Sequence, residues 1–421
     1  MASQRGPPSP APVATTTAIT AIGDDLLCEI FLRLPSLPSL VRAALACRAF
    51  LHAVRSSPSF RRRFRAVHPP QILVFFNAGI HSLIPLDGRS DHDLAAAVHG
   101  SDFRFIRLPK GRDDSRWNIL NGCRCRCGYV FLCNENTDQI AAYNPLKRAL
   151  YIFPYPPQET CDDPHCPDFS IIFSEDDQRS FRVVSVQPKL ARFSVFSSDS
   201  RDWQSISWVD TSTLQRVDNG GDNSVLPSYT DTVMMDKFDR LAYWKDKNTG
   251  YIVVLNTATL QLSRMDLPHP LKDMDSTQFE LGRTNAGKLC MVCVDGFGAE
   301  NTMISVWIWR ADGDGVDKWM QHKVFPLNKF IDVTMCSAEY GVITVQVAVV
   351  IDGFLFLCID FGRLTKFFMS FCLETENANE FFNHTFHNDI QPYIMAWPPT
   401  LLSNKVSTCL VHVACTWVTW E

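Results

Sequence analysis

Residues 22–60 read IGDDLLCEIFLRLPSLPSLVRAALACRAFLHAVRSSPSF, a compact and basic segment with a helical pattern. Asp24 is a suitable helix N-cap, because its carboxylate can accept hydrogen bonds from the free amides of the first turn. Apolar residues recur after it at helical spacing, and Pro35 interrupts the pattern. The sequence therefore predicts a first helix that starts at Asp24 and stops at Pro35.

Two further helices are predicted in the same segment. Ser36 opens the second, with Pro38 tolerated in its first turn. Cys47 and Phe50 continue the apolar pattern until Ser-Ser-Pro at 56–58 breaks it. Three short helices of this size bury little surface on their own. We therefore expect another protein, rather than self-packing, to complete their wide apolar face.

This segment resembles the F-box, the adaptor-binding motif of substrate receptors in cullin-type ubiquitin ligases. Four sub-motifs occur in order: DDLLxEIFLRLP at 24–35, SLVR at 39–42, ACRxF at 46–50 and SPxF at 57–60. Two positions depart from the usual motif. Ile22-Gly23 replaces Leu-Pro and loses the preset φ of proline, and Phe50 replaces tryptophan and loses the indole donor. We expect weaker or altered adaptor binding, not its absence.

The resemblance also implies which residues contact the adaptor. They are apolar residues of the helical segment, namely Ile22, Leu26, Leu27, Ile30, Leu34, Pro35, Leu40, Val41, Leu45 and Phe50. Such interfaces take most of their binding energy from a few buried anchors. Leu27 and Ile30 are therefore expected to matter more than any arginine at the rim.

Composition and charge limit the possible classes of function. The chain has 421 residues, 46% hydrophobic and 20% charged, which is typical of a folded protein with room for two or three domains. The net charge is −5; residues 22–68 carry +5 from eight arginines and three acids, and Arg5 adds one, so residues 69–421 carry −11. A large acidic region argues against nucleic acid as the main ligand. The basic run RRRFR at 61–65 is interpreted as a solvated helix face.

The N-terminus and the cysteine count bear on the compartment. Residues 1–21 lack the apolar stretch of a secretory signal, so we expect the 15 cysteines to be reduced and the protein to be cytoplasmic and/or nuclear. The same residues, rich in Pro, Ala and Thr, are expected to be disordered. The longest apolar stretch, residues 342–359, is interrupted by Gln346, Asp352 and Gly353. This pattern predicts two strands around a turn and no membrane span.

From Pro69-Pro70 onwards the pattern changes to the alternation typical of β-strands. A hairpin unit recurs at intervals of about 55 residues, with further strand pairs between the hairpins. Its turns are marked by Asn144, Asp199, Asn256, Asp312 and Glu374. Four strands per unit predict a β-propeller of six blades, plus or minus one, with a kelch-like repeat length. A large β-sandwich or two smaller β domains is the alternative.

Large aromatic residues are expected to fill the space between the blades. The five residues expected near equivalent blade positions are Trp203, Trp244, Trp307, Trp309 and Trp319. The region also resembles the β-propeller-like domain that follows the F-box in a large plant family. Segments that carry this second resemblance include GYIVVLNTATLQLSRMDLP at 250–268 and PYIMAWPPTLL at 392–402.

These patterns divide the chain into four parts. The predicted parts are a disordered N-terminus at 1–21, an F-box helical domain at 22–68, a propeller-like domain at 69–402, and a final strand or atypical tail at 403–421. The fold class is therefore a small all-α head followed by an all-β domain.

Six cysteines and one histidine are candidate metal ligands. The group comprises Cys123, Cys125, Cys127, Cys133, Cys161, His165 and Cys166. Thiolates and imidazoles are the ligands that zinc prefers, but the common zinc sites have two to four residues between paired cysteines, and here only one residue separates Cys123 from Cys125 and Cys125 from Cys127. Cysteines two apart in a strand share a face and pack as small buried hydrophobes, which is the interpretation we favour.

Two other groups receive similar interpretations. Cys290 and Cys293 lie in a strand pattern that places their thiols on opposite faces and excludes a redox pair. His384 and His387, with Asp389, are interpreted as part of a solvated polar loop. We predict no catalytic residue, no metal and no cofactor.

The two resemblances together imply a substrate-receptor subunit of a Skp–cullin–F-box type ubiquitin ligase. Its expected partners are a Skp-type adaptor, a cullin reached through that adaptor, and an unknown target protein bound by the propeller, without nucleic acid or membrane. Such a subunit performs no bond chemistry itself. The alternative is a small-molecule sensor or enzyme built on the propeller, with a vestigial F-box. That alternative requires converging polar groups at equivalent loops, and the sequence identifies none.

Overall fold

The computed structural model describes a helical head followed by a β region. The described residues are 22–77, 83–85, 91–109, 117–120, 128–134, 136–157, 168–173, 180–187, 192–207, 233–236, 241–245, 250–272, 279–296, 302–311, 315–329, 344–360, 365–385, 390–395, 397 and 401. The predictions made for residues 1–21 and for the tail at 403–421 lie outside them.

The described head contains four helices, not the three predicted. They are α1 Asp24–Phe31, α2 Leu37–Ala46, α3 Arg48–Ser56 and α4 Pro58–Val67. The break predicted at 56–58 is confirmed, but the chain starts a new helix there. The Ser57 hydroxyl accepts from the Phe60 amide at 3.2 Å, and Pro58 occupies the first helical position. This is a regular helix start.

The ends of the first two helices show one correction and one confirmation. Gly23, not Asp24, is the N-cap of α1, and Asp24 lies in the first turn, where its charge favours the positive end of the helix dipole. The helix ends at Phe31, four residues before Pro35. Ser36 is confirmed as the N-cap of α2, since its hydroxyl accepts from the Ser39 amide.

The β region begins at residue 72, and one further helix, α5 His92–His99, precedes most of it. The strands are β1 Ile72–Asn77, β2 Leu83–Pro85, β3 Asn118–Ile119, β4 Val130–Asn134, β5 Gln139–Asn144, β6 Ala149–Pro154, β7 Asp168–Phe173, β8 Phe181–Gln187, β9 Arg192–Ser197, β10 Asp202–Ser207, β11 Val233–Asp236, β12 Leu241–Lys245, β13 Tyr251–Asn256, β14 Gln261–Asp266, β15 Phe279–Arg283, β16 Leu289–Asp295, β17 Met303–Ala311, β18 Asp317–Pro326, β19 Thr344–Ile351, β20 Phe354–Asp360, β21 Thr365–Cys372, β22 Ala378–Thr385 and β23 Ile390–Ile394. The strand pair predicted within 342–359 is confirmed as β19 and β20, joined at Asp352-Gly353.

From residue 118 on, consecutive antiparallel strands form a propeller. Blade 1 is β3–β6, blade 2 is β7–β10, blade 3 is β11–β14, blade 4 is β15–β18 and blade 5 is β19–β22. In the described part of the chain this gives five four-stranded blades, one fewer than six and within the predicted margin. The hairpins found in the sequence are the third and fourth strands of each blade. Asn256 shows their turn chemistry, since its side-chain oxygen accepts from the amides of Ala258 and Thr259.

A three-stranded sheet of β2, β1 and β23, called the closing sheet, lies between blade 5 and blade 1. Phe75 of β1 packs on Phe368 of blade 5, with ring centroids 4.9 Å apart. Val74 and Phe76, on the other face of β1, share a hydrophobic cluster with Leu132 of blade 1. The strand that follows the head therefore pairs with a strand near the end of the propeller and joins the two ends of the ring.

The tryptophans fill the spaces between blades, and only some of them occupy equivalent positions. Trp203 lies on the fourth strand of blade 2 and packs toward blade 1, whereas Trp244 lies on the second strand of blade 3 and packs toward blade 2. Trp319 lies on the fourth strand of blade 4 and faces blade 3. The prediction of equivalent positions is therefore confirmed for Trp203 and Trp319 and wrong for Trp244, because aromatics from different strands can fill the gap between blades.

Candidate partner-binding surface

Helix α1 exposes two of its apolar residues and buries the others. Leu27, Cys28 and Phe31 face the interior of the head. Leu26 is 63% exposed and Ile30 is 47% exposed, and they are four residues apart, so they lie on the same side of the helix. Two adjacent exposed apolar side chains on a short helix are suited to contact another protein.

The ten residues predicted to contact an adaptor fall into three groups. Leu27, Leu40 and Val41 are buried in the core of this chain, so they support the surface from below. Ile22, Leu34, Leu45 and Phe50 are partly buried against the same core. Leu26, Ile30 and Pro35 are exposed. Adaptor contact stays a prediction, and burial restricts it to the second and third groups.

Phe50, which occupies the usual tryptophan position, packs inside the head. Its ring lies 5.5 Å from the ring of Phe31 at an interplanar angle of 78°. Phe31 in turn makes an edge contact with Phe60 of α4 at 6.4 Å. Edge-to-face pairs of this kind are favourable. The phenylalanine therefore supplies the packing at this position, and only the donor of an indole is missing.

A groove lies between α2 and the start of α5. Its volume is about 600 Å³. Its lining mixes apolar and charged residues, namely Leu34, Pro35, Ser39, Arg42, Ala43, Ala46, Asp91, His92 and Asp93. Two of the predicted residues, Leu34 and Pro35, therefore border a concave surface that also includes α5, a helix outside the F-box-like segment.

Asp93 pairs with two residues of α2 in this groove. Its carboxylate accepts from the Ser39 hydroxyl at 2.7 Å and from the Arg42 guanidinium at 2.7 Å. Burial opposes the charged form, but the hydrogen bonds from Arg42 and Ser39 outweigh it and lower the pKa of the Asp93 carboxyl. The charged pair therefore joins α2 to α5 across the groove.

A second ion pair frames the outer side of α1. Glu29 accepts a hydrogen bond from Arg63 of α4 at 2.6 Å, and this hydrogen bond lowers the pKa of Glu29. Both side chains are more than half exposed, so the pair contributes little to stability. It places a polar rim next to Ile30.

The candidate metal ligands do not form a site in the described residues. No group of three or more His, Cys, Asp or Glu that could hold a metal ion occurs there. Cys133 is buried in blade 1, while Cys123, Cys125, Cys127, Cys161, His165 and Cys166 lie outside the described residues. The structure therefore does not test six of the seven candidate zinc ligands.

Cys290 and Cys293 behave as predicted. Cys290 lies between blades 4 and 5, and Cys293 lies between blades 3 and 4, so the two thiols of β16 are on opposite faces. Burial raises the pKa of the Cys290 thiol to about 12, which makes it unreactive.

His384 lies in strand β22 and not in a loop, so the loop predicted for it is wrong. His387 and Asp389 are not among the described residues.

Sequence reasoning missed the parts of the surface that α4 and α5 contribute. The signal for α4 was present, because Ser57-Pro58 is a helix start and Phe60 and Phe64 follow at helical spacing. Asp91 gives the signal for α5, since its carboxylate accepts hydrogen bonds from the amides of Asp93 and Leu94.

No helix in the described part of the chain is long and apolar enough to cross a membrane.

Comparison with known protein families matches residues 122–401, more than half of the chain, to the family described as "F-box protein AT5G49610-like, beta-propeller". The matched range includes β4–β23 and does not reach the helical head. Comparison with curated proteins gives no match.

Comparison with solved structures finds chains of low sequence identity and low structural similarity. A virginiamycin B lyase from Staphylococcus aureus has 9% identity, 65% coverage of this chain, 86% coverage of that chain and a TM-score of 0.29. A chain of a nidogen/laminin complex has 11% identity, coverages of 64% and 81%, and a TM-score of 0.32. A luciferin-regenerating enzyme has 10% identity, coverages of 65% and 78%, and a TM-score of 0.34. Likenesses at this level carry no argument about function.

Proposed function

The chain belongs to the F-box protein AT5G49610-like β-propeller family, and from this premise we propose that it is a substrate-receptor subunit of a Skp–cullin–F-box type ubiquitin ligase. The head binds a Skp-type adaptor, and the adaptor connects it to a cullin. The propeller recruits a target protein. The observation that carries the proposal is the exposed pair Leu26 and Ile30, which lies within the segment that resembles the F-box.

The exposed pair is supported by a core that fixes its position. Leu27, one residue from Leu26, is 2% exposed and packs with Leu40 and Val54 of the head. An apolar anchor held by a packed helix loses little conformational entropy on binding, which favours affinity. The groove lined by Leu34 and Pro35 offers a second surface formed by predicted adaptor-binding residues.

The proposed role is non-catalytic. A receptor that holds its target near a ubiquitin-charged enzyme raises the effective concentration of target lysines, and proximity alone accelerates transfer. The chain would then need no metal, cofactor or catalytic residue. The protein is expected to act in the cytoplasm and/or the nucleus, where ubiquitin ligases of this type find their targets. The target itself is a protein of unknown identity.

The proposal is tested by assembly of the complex from purified parts. The full chain is mixed with a Skp-type adaptor and a cullin bound to its RING subunit, and the mixture is separated by size-exclusion chromatography. We expect one peak that contains all of the proteins. The variant L26A/I30A should elute alone at the position of the folded chain, and V324A, which changes an exposed apolar residue of blade 4, should assemble normally.

A folded wild-type chain that elutes without the adaptor would exclude the receptor function. It would favour the alternative of a small-molecule sensor or enzyme on the propeller with a vestigial F-box.

A further inference from the structure

The head and the propeller share one hydrophobic core. Leu27 and Phe64 of the head belong to the same buried cluster as Leu73 of β1, Leu132 of blade 1 and Tyr393 of β23. Part of the apolar face of the head that we expected another protein to complete is therefore covered by this chain. Apolar contacts between two domains restrict the movement of one against the other.

Arg65 of α4 makes a polar contact at the edge of this core. Its guanidinium carbon lies 4.8 Å from the centroid of the Trp397 ring, and its Nε lies 3.7 Å from Oδ2 of Asp352. Trp397 follows the closing sheet, and Asp352 lies in the turn between β19 and β20 of blade 5. Phe64, next to Arg65, also packs on Trp397, with ring centroids 5.8 Å apart. One arginine of the head thus contacts two separate parts of the propeller.

A second set of contacts lies at α5 and the residues after it. Asp93 binds Arg42 and Ser39 of α2, as described for the groove. Three residues after the end of this helix, the chain is attached to the turn between β5 and β6, where the amide of Asp102 donates to the Pro145 carbonyl at 3.0 Å. The segment from α5 to blade 1 therefore connects the head to the opposite side of the closing sheet from Arg65.

Blade 1 holds this segment with buried and part-buried hydrogen bonds. The Tyr143 hydroxyl donates to Asp102 at 2.5 Å, and both residues are buried. Arg148 donates from Nη2 to the Gly100 carbonyl at 2.9 Å. Hydrogen bonds to a buried carboxylate are strong and costly to break.

The charges of the two parts favour the same arrangement. Residues 22–68 carry +5 and residues 69–421 carry −11. Opposite net charges attract at long range, although salt screens the attraction between exposed groups. A basic head on an acidic propeller is consistent with a permanent contact.

We propose that the head and the propeller form one rigid unit, in which Arg65 is a positioning residue that fixes the direction of the head by its contacts with Trp397 and Asp352. Two contacts on opposite sides of the closing sheet prevent the head from pivoting about either. The consequence rests on the proposed function: a target on the propeller is held at a set distance and direction from the adaptor on the head.

The test is hydrogen–deuterium exchange of the full chain, with calorimetry of the same samples. In R65A we expect exchange to rise about tenfold both in α4 and in the turn at 351–354, because a coupled contact protects both partners. R65K keeps the charge but loses the planar stacking and should show a smaller rise at both places. R62A is the matched control, because Arg62 lies on the same helix with an exposed side chain, and it should change neither region.

Three results would overturn the inference. They are a rise in α4 of R65A without a rise at 351–354, an unchanged pattern in both arginine variants, and two separate unfolding transitions in the wild type. If R65A does not fold, R65K alone decides between these outcomes. Adaptor binding is measured in parallel, so a wild type that shows coupled exchange but no adaptor binding would refute the proposed function and leave the rigid unit intact.

Discussion

Leu26 and Leu27 are neighbours in α1, and one side chain is exposed while the other is buried. Leu26 is in solvent and Leu27 is in the core that the head shares with the propeller. The same substitution at these two positions therefore measures two different properties. At Leu26 it measures recognition, and at Leu27 it measures stability.

The first prediction concerns this pair. Leu27→Ala should lower the free energy of unfolding by about 2–4 kcal/mol, because it leaves a cavity in a packed core. Leu26→Ala should change it by less than about 0.5 kcal/mol, as is usual for exposed sites. Urea denaturation followed by fluorescence measures both. Equal losses in the two variants would contradict the burial assigned here.

The second prediction concerns the contact between blades 4 and 5. A Cβ at Gly282 in β15 would lie 2.4 Å from Cβ of Val350 in β19, which is closer than real side chains approach. Gly282→Ala should therefore cost about 1–3 kcal/mol through overpacking. Gly287→Ala is the comparison, because its φ of +76° is unfavourable for alanine but nothing lies within 4 Å. Its cost should be smaller, about 1 kcal/mol. A larger loss of thermal stability in Gly287→Ala would refute the steric explanation.

The third prediction concerns the buried pair of Tyr143 and Asp102. Tyr143→Phe removes the donor and leaves one carboxylate oxygen of Asp102 without that hydrogen bond. The free energy of unfolding should fall by about 1.5–3 kcal/mol. Asp102→Asn should also be destabilising, because its single acceptor oxygen cannot serve both the Tyr143 hydroxyl and the Ile106 amide, which bond to different oxygens of the carboxylate. Chemical denaturation of both variants provides the measurement, and a neutral Tyr143→Phe would show that the contact is not important.

The fourth prediction is a dependence of stability on pH through His68. Burial lowers its pKa below the ordinary value of 6.5, and this effect outweighs the hydrogen bonds to the carbonyls of Leu32 and Pro35. The unfolded chain then binds a proton at a pH where the folded chain does not. His68 therefore contributes stability above about pH 6.5 that is lost as the pH falls toward the folded pKa.

The measurement compares denaturation curves between pH 5 and 8. The wild type should lose more stability than His68→Gln as the pH falls. His52→Gln, at an exposed position of α3, serves as the control and should follow the wild type. A wild type and a His68→Gln variant with parallel pH profiles would contradict this assignment.

Local patterns in the sequence were sufficient to predict the classes of structure. Ser36 is predictable as a helix cap because its hydroxyl bonds to the backbone amide of Ser39, only three residues further along the chain. Asn256 marked a hairpin turn for the same local reason. Cys290 and Cys293 were placed on opposite faces by the two-residue period of a strand. Each of these features depends on residues within one turn or one strand.

Features that depend on distant contacts could not be predicted in this way. The pairing of β1 with β23 joins residues more than 300 positions apart, and neither strand carries a signal for its partner. The apolar face of the head was correctly identified, but an apolar face has the same pattern whether another protein or the same chain covers it. Leu40 and Val41 were therefore assigned to a partner although they are buried in the chain.

The basic run at 61–65 illustrates the same limit. It was interpreted as a solvated helix face, and Arg62 and Arg63 are indeed exposed. Arg61, however, donates to the carbonyl oxygens of Val54 and Arg55, and Arg65 contacts the propeller. Charge predicts exposure in general, but an arginine can place its stem and its planar head in a polar interface.

The affinity of the full chain for a purified Skp-type adaptor, measured by isothermal titration calorimetry, tests the receptor function most directly. We expect the wild type to bind. We expect L26A/I30A to raise the dissociation constant by about 30-fold or more, because two central apolar anchors are lost. The circular dichroism spectrum should be unchanged. A folded wild type without measurable affinity, or a double variant that binds as tightly as the wild type, would contradict the account.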